Sequence, residues 1–324
     1  MSFDFKLPSP GTAVPMDEKV IYDTIIIGGG PAGMNAALYA ARKGLKTGIV
    51  TFDIGGQVLN TSEVENYIGT PTILGPDMAD AWKSHMLRYN VEMYEFVHVE
   101  RIEKEDRFFK IHTDDGKAFT SRTVIIATGK RSRPMNVPGE KEFTGRGVAY
   151  CATCDAPLYG GKTVAVVGGG NSAIEAIVDL GKIAEKVYVF QFLEDFTADK
   201  AVREKIEPFR EKMEIYFNTM VARCEGDNKL TRAVIKNRLT GEEKPIALDG
   251  LFVEIGLIPN TEFLKEFVKL NKYGEIIVDK HGATSVEGVY AAGDVTDVPF
   301  KQIVIAAGEG ARAALAAADY LLSH

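Results

Sequence analysis

At 324 residues the chain is too long for most single hydrophobic cores, so two domains are expected. Its 45% hydrophobic and 26% charged residues are ordinary globular proportions. A net charge of −7 and a pI of about 5.4 exclude a general nucleic-acid-binding surface, and no apolar run reaches the ~18 residues of a membrane span, so neither nucleic acid nor membrane is an expected partner.

Residues 1–20 carry Asp4, Lys6 and several turn formers but no apolar core, and are expected to be an N-terminal extension rather than a signal peptide. A frayed tail is the simpler reading, with Phe3 and Phe5 available to pack on a neighbouring surface. Val20 to Ile27 is predicted as a buried strand running into Gly28-Gly29-Gly30-Pro31-Ala32-Gly33. Ala32 to Lys43 is an Ala-rich helix stopped at Gly44, and Lys46 to Phe52 is the next strand. This is a β–turn–α–β unit with nucleotide-binding spacing. Met78 to Tyr89 is predicted helical, and residues 91–128 form several strands with a hairpin turn at Asp114-Asp115-Gly116. Thr123 to Ala127 is a buried strand before Thr128-Gly129.

Arg131 to Gly147, irregular and with two prolines, is the expected crossing between domains. Thr163 to Val167, the turn Gly168-Gly169-Gly170-Asn171-Ser172-Ala173, a helix to Ile183 and a strand from Lys186 to Gln191 repeat the first unit about 140 residues later. Leu251 to Ile255, with Gly256 and Pro259-Asn260, is the return crossing. Val289 to Asp294 is a buried strand running into a glycine turn, and Ile303 to Leu322 is an Ala-rich helix. The expected fold class is α/β: two Rossmann-like domains, one of residues 21–129 and 256–324, the other of residues 130–255 inserted into it.

The first turn follows a strand and opens a helix. There, glycines let the backbone approach a pyrophosphate, and the helix N-terminus supplies N–H donors. An ordinary tight turn is the alternative. The position where an acid would bind a ribose holds Thr51. In the second turn Gly168, Gly170, Asn171, Ser172 and Ala173 are the candidate dinucleotide ligands, Ala173 standing in for the last glycine. Its ribose acid is replaced by Gln191, with Glu194 and Asp195 slightly later, and no arginine follows for a 2′-phosphate.

Three cysteines, Cys151, Cys154 and Cys224, are too few for a disulfide-stapled secreted domain, and a soluble cytoplasmic protein is expected. Cys151-Ala152-Thr153-Cys154-Asp155 reads as a redox dithiol with a neighbouring acid. Zinc would need two more ligands, and neither Cys224 nor His85, His98, His112, His281 or His324 shows zinc spacing, so no metal is expected. Buried structural cysteines are the remaining alternative. Cys224 is read as a small buried or surface residue, and His112 as a solvent-facing strand residue. Two cofactor turns and one dithiol together describe an electron path.

From about Tyr22 onward the chain resembles the low-molecular-weight thioredoxin reductases, a family of flavin disulfide reductases. The resemblance rests on the first glycine turn, Gly55-Gly56-Gln57, Glu63-Val64-Glu65-Asn66, Ala127-Thr128-Gly129, the Cys-x-x-Cys-Asp run, Ala291-Ala292-Gly293-Asp294-Val295, and Lys301-Gln302 followed by Ala306-Ala307-Gly308. It implies FAD in the first domain, held by Gly28, Gly30, Pro31, Ala32, Gly33, Thr51, Gly56, Gln57, Asn66, Ala127, Thr128 and Gly129. It implies Gly293 and Asp294 at the phosphate and ribityl region, backbone groups of Gln302 and Ile303 at the pyrimidine edge, and Val99 at the adenine. The second domain is then NAD(P)-binding-like and rotates, with Arg131–Gly147 and Glu254–Asn260 as hinge candidates. A homodimer and a thioredoxin-like protein substrate are implied as well. In that scheme Cys154 faces the flavin, Cys151 attacks the partner's disulfide, and Asp155 protonates the leaving thiolate.

One departure is specific. NADPH-using relatives carry His-Arg-Arg and a further Arg where this chain has Gln191, Phe192, Leu193 and Thr197. Each lost Arg removes a charge-assisted contact, and two such losses at ~1.5–3 kcal/mol each weaken NADPH by orders of magnitude. The expectation is an atypical thioredoxin-disulfide reductase whose donor is not NADPH but NADH or a non-nucleotide carrier such as reduced ferredoxin. Two alternatives stay open: a flavin NAD(P)H oxidoreductase without dithiol chemistry, and a redox-sensing flavoprotein with slow turnover.

Overall fold

The structure, a computed structural model, describes residues 13–61, 64–264 and 266–323. Phe3, Phe5 and the rest of residues 1–12 of the expected extension lie outside the described residues. The chain opens with β1 (Val14–Pro15), β2 (Ile21–Gly29), α1 (Pro31–Arg42), β3 (Thr47–Ile54), α2 (Gly75–Met86) and β4 (Glu92–Glu95). The meander β5 (Val99–Glu105), β6 (Phe108–Thr113) and β7 (Ala118–Ile126) follows. Next come β8 (Lys130–Ser132), α3 (Glu140–Phe143), β9 (Val148–Ala149), α4 (Ala152–Asp155), β10 (Thr163–Val167), α5 (Asn171–Ile183), β11 (Lys186–Phe190), α6 (Lys200–Arg203) and β12 (Met213–Tyr216). Then come β13 (Thr219–Gly226), β14 (Leu230–Asn237), β15 (Glu243–Ala247), β16 (Gly250–Val253), β17 (Leu257–Pro259), β18 (Val289–Ala291) and α7 (Ile303–Ser323).

These elements form two compact units. The first holds the chain through Leu59, Gly75–Arg131 and Ile258 onward; the second holds Asn60–Leu74 and Ser132–Leu257. Residues 60–74, which the sequence places in the first domain, thus group with the second unit.

In the first unit the sheet order is β1-β4-β3-β2-β7-β6-β5, with β18 also pairing β7. Ile25 and Ile27 of β2 enter one core cluster with Val50, Val124 and Ile126; Ile26 enters another with Ile49, Ile125 and the alanines of α1 and α7. Both faces of the strand are covered, which is why it reads as an unbroken apolar run rather than an alternating one. His112 on β6 does not face solvent freely, as the sequence suggests. Its ring lies 2.8 Å from the Glu103 carboxylate beside Arg101, with only 16% of the side chain exposed, because the cross-strand pair covers it.

The second unit has a parallel sheet of order β12-β11-β10-β16-β9. Val164 and Val166 of β10 pack on Ile174, Ile177 and Leu180 of α5. Ala165 and Val167 face the other way, toward Val221, Ala233, Ile235 and Ile246 of the antiparallel sheet β13-β14-β15. Cys224 is buried in that layer, and burial, with a smaller push from Glu140, raises its thiol to about 12. So high a value makes it an inert core residue rather than a nucleophile.

Candidate active site

The first glycine turn is built by close approach. Gly28 has φ +111°, and a Cβ there would lie 2.4 Å from the Ala127 carbonyl oxygen. A Cβ on Gly33 would lie 1.8 Å from the Gly28 carbonyl oxygen, so α1 can rise directly off the strand only with glycine there. Gly30 caps α1 with no side-chain hydrogen bond, Pro31 follows, and the first turn holds no acid. The free donors at this helix start suit an anion. Gly293 reaches the same place: a Cβ on it would meet the Ala32 methyl at 2.9 Å. Asp294 follows, half-buried. Burial raises its carboxyl above the ordinary range, and Lys301 and Lys130 pull it back.

The structure therefore brings Gly28, Gly30, Pro31, Ala32, Gly33, Ala127, Thr128, Gly293 and Asp294 together. Thr51 is buried in β3 and donates to the Asp53 carbonyl at 2.6 Å; the Asp53 carboxylate in turn accepts the Gly56 N–H at 2.9 Å. Gln57 donates to the Lys130 carbonyl at 2.5 Å. Gln302 and Ile303 stand at the start of α7, where the Gln302 carbonyl accepts from Ala306. Val99 packs against the core at the start of β5, and Asn66 is exposed within the 60–74 segment. Sequence reasoning missed Asn260 as a ligand of this turn: it donates to the Thr128 carbonyl at 2.7 Å, and Thr128 Oγ1 donates back to its carbonyl at 2.9 Å. It also missed the largely covered Lys130–Glu275 ion pair. An uncapped helix start, close-packed glycines and a half-buried carboxylate fit a dinucleotide-type flavin cofactor.

The dithiol lies in the second unit. Cys151 and Cys154 form a disulfide, with Cα atoms 5.3 Å apart. Cys151 is the N-cap of α4, its Sγ accepting the Cys154 N–H at 3.2 Å. Asp155 is buried, and its N–H bonds the Cys151 carbonyl at 3.0 Å. Among the described residues no group of three or more His, Cys, Asp or Glu could hold a metal ion.

The strand before the motif is anchored by Glu140. Its fully buried carboxylate accepts N–H bonds from Met135 and Asn136 at 2.7 Å each, and the Tyr150 hydroxyl at 2.7 Å. Burial and then this carboxylate push the Tyr150 phenol up. Glu140→Ala leaves these buried donors unpaired, and is expected to destabilise the second unit by about 3 kcal/mol or more. A urea unfolding midpoint unchanged from the parent would contradict this.

At the second turn α5 also starts uncapped, with Gly170 as N-cap and no acid in its first turn. Beyond this turn Phe192 and Leu193 are both exposed, and the Arg238 guanidinium lies over the Phe192 ring at 3.8 Å. Gln191 turns inward instead: it donates to the Asp195 carbonyl at 2.9 Å and accepts the Phe192 N–H at 3.0 Å. A Cβ on Gly169 would meet its side chain at 2.4 Å. Asp195 is ion-paired to Arg203 at 2.7 Å, which holds its carboxyl below the usual range, and Thr197 Oγ1 donates to the Gly169 carbonyl at 3.3 Å. A buried amide is the better neighbour for a bare backbone turn, which explains why the polar residue went in and the apolar pair stayed out.

The family model described as pyridine nucleotide-disulphide oxidoreductase matches residues 22–310. The chain is 45% identical over 98% of its length to the NADH dehydrogenase of Bacillus subtilis, and 45% identical over 96% to an alkyl hydroperoxide reductase subunit of Pseudomonas putida. It spans only 62% and 60% of those two relatives. The thioredoxin reductase of Streptococcus pyogenes shares its fold at a TM-score of 0.87 and 37% identity, over 94% of this chain and 99% of that one. The chain belongs to the pyridine nucleotide-disulphide oxidoreductase family, with the fold of its low-molecular-weight thioredoxin reductases.

Proposed function

We propose that this protein is an FAD-dependent disulfide reductase that passes electrons through Cys151 and Cys154 to a thioredoxin-like protein, from a donor other than NADPH. The observation that carries the reading is the Cys151–Cys154 disulfide with buried Asp155 beside it. When bound, FAD supplies the electron pair that opens this disulfide. Gly28, Gly30, Pro31, Ala32 and Gly33 would hold its pyrophosphate, and Asp294 its ribityl side. The chain's own chemistry is thiol exchange. The Cys151 thiolate attacks the substrate's disulfide, and the departing substrate thiolate takes a proton from Asp155. The Cys154 thiolate then attacks Cys151 Sγ in the mixed disulfide. That re-forms the internal bond and releases the second substrate sulfur as a thiolate.

The relatives' names include an NADH dehydrogenase, which favours NADH among nucleotide donors. Acid extraction of the purified protein is expected to release FAD, identified by mass; FMN, or no flavin, would sink the reading. Catalytic reduction of a thioredoxin's disulfide by a chemically reduced preparation tests the second half. Its absence at any thioredoxin concentration would favour the redox-sensor alternative.

A further inference from the structure

One acidic group beside the dithiol has no part in the chemistry above. Glu254 follows β16 directly, 102 residues beyond the motif, and its Oε1 accepts the Ala152 N–H, inside the Cys-x-x-Cys run, at 3.4 Å. Its carboxyl also bonds the Ser172 side chain at the start of α5. The residue is fixed from the backbone: its N–H donates to the Val167 carbonyl at 2.8 Å, and its own carbonyl oxygen packs 2.3 Å from where a Gly168 Cβ would stand. It is half-buried, so protons can reach it from water. No ion pair engages it among the described residues. α5 carries Glu175, a like charge that acts on it, and α4, whose Ala152 amide it bonds, carries Cys154 and Asp155 with Cys151 as its N-cap. Burial is the main force on this carboxyl and pushes it up to about 7; the bonds from Ala152 and Ser172 oppose that, and Glu175 adds to it.

We propose that in the reduced protein Cys151 and Glu254 share one proton, Glu254 holding it while Cys151 is the attacking thiolate. The Ala152 amide that Glu254 grips belongs to the residue after Cys151, so the carboxyl both positions that turn and feels the sulfur's charge. Opening the Cys151–Cys154 bond takes two electrons, from the reductant of the proposed function, and two protons. One proton ends on the Cys154 sulfur, by way of Asp155. The other is the one shared between Cys151 and Glu254. When the dithiol reduces a substrate, the internal S–S bond re-forms, the substrate's S–S bond breaks, and its two thiolates take up these two protons. Groups that share a proton titrate as a pair, in two macroscopic steps.

The proposal rests on Cys151 being the outer thiol, but its test needs neither an electron donor nor a thioredoxin. In the flavin-loaded Cys154→Ser protein, Cys151 is alkylated with iodoacetamide from pH 5 to 10 and quantified by peptide mass. The rate is expected to rise in two steps, with one break near neutral pH. With Glu254→Gln added, which keeps an acceptor for Ala152, the rise becomes a single step. The rate at pH 8 then increases about 3–10-fold, because the neighbouring carboxylate no longer opposes the thiolate. Ser172→Ala, which removes a bond to the ionised carboxyl, moves the neutral break to higher pH and serves should Glu254→Gln fail to fold. Asp155→Asn leaves the neutral break in place. Superimposable profiles with and without Glu254, or loss of the break in Asp155→Asn alone, overturn the proposal. Turnover with thioredoxin is measured separately and decides the function on its own.

Discussion

Cys154→Ser and Cys151→Ser are each expected to abolish turnover with thioredoxin, by a factor on the order of 10³ or more, because each removes a sulfur without which no internal disulfide can form. Both proteins should keep their FAD and accept electrons from dithionite, since the first unit contains neither cysteine. The two variants should differ in one spectroscopic property. If Cys154 is the sulfur that meets the flavin, Cys151→Ser leaves a thiolate there and shows a long-wavelength charge-transfer band, while Cys154→Ser does not. This order is proposed because Cys154 lies inside α4 next to buried Asp155, whereas Cys151 is the N-cap of that helix. A band in Cys154→Ser and not in Cys151→Ser would reverse the two roles. Retained turnover in either variant would remove the dithiol from the electron path.

What the sequence revealed depended on how far apart the partners lie along the chain. The two glycine turns and the Cys-x-x-Cys run are local. Each needs only a few consecutive residues, and the structure places Gly28 and Gly168 at strand ends and Gly30 and Gly170 as helix N-caps. The residues that complete the sites come from elsewhere: Glu254 lies 102 residues from Ala152, and Asn260 lies 132 residues from Thr128. No spacing rule joins such pairs; only the fold does, by bringing β16 beside β10 and the chain after β17 to the Thr128-Gly129 turn that follows β7. The sheet β13-β14-β15 was missed for a different reason. β13 slips register against β14 between Val221 and Arg223, so its inward residues do not keep a period of two. Gln191, which the sequence shows only as the replacement of a ribose acid, has its amide engaged by Asp195 and Phe192, a pairing no local pattern announces. The inward turn of Gln191 also changes the argument about the donor, since the groups at the adenosine end are engaged with one another.

NADPH is expected to reduce the flavin at least about 10²-fold more slowly than the physiological donor, because the 2′-phosphate finds none of the guanidinium forks it requires. Thr197 is bonded to the Gly169 carbonyl, Leu193 is exposed and apolar, and Asp195 would repel a phosphate were it not held by Arg203. A further cation at this edge, Arg238, is stacked on Phe192 and donates to its carbonyl at 2.8 Å. Anaerobic stopped-flow reduction with NADPH, NADH and reduced ferredoxin at equal concentrations decides the matter. Rapid reduction by NADH, slowed by Glu194→Gln, would show that the exposed Glu194 serves as the ribose acid that Gln191 and Asp195 cannot be. Reduction by ferredoxin alone would mean that the second turn holds no nucleotide, and that its unit keeps this fold to carry Cys151, Cys154 and Glu254. Rapid reduction by NADPH would refute the selectivity argument, and Arg238→Ala would then show whether the stacked guanidinium reads the 2′-phosphate. Charge-assisted contacts from one arginine are worth ~1.5–3 kcal/mol, so that variant should lose about 10- to 100-fold in NADPH affinity and nothing in NADH affinity.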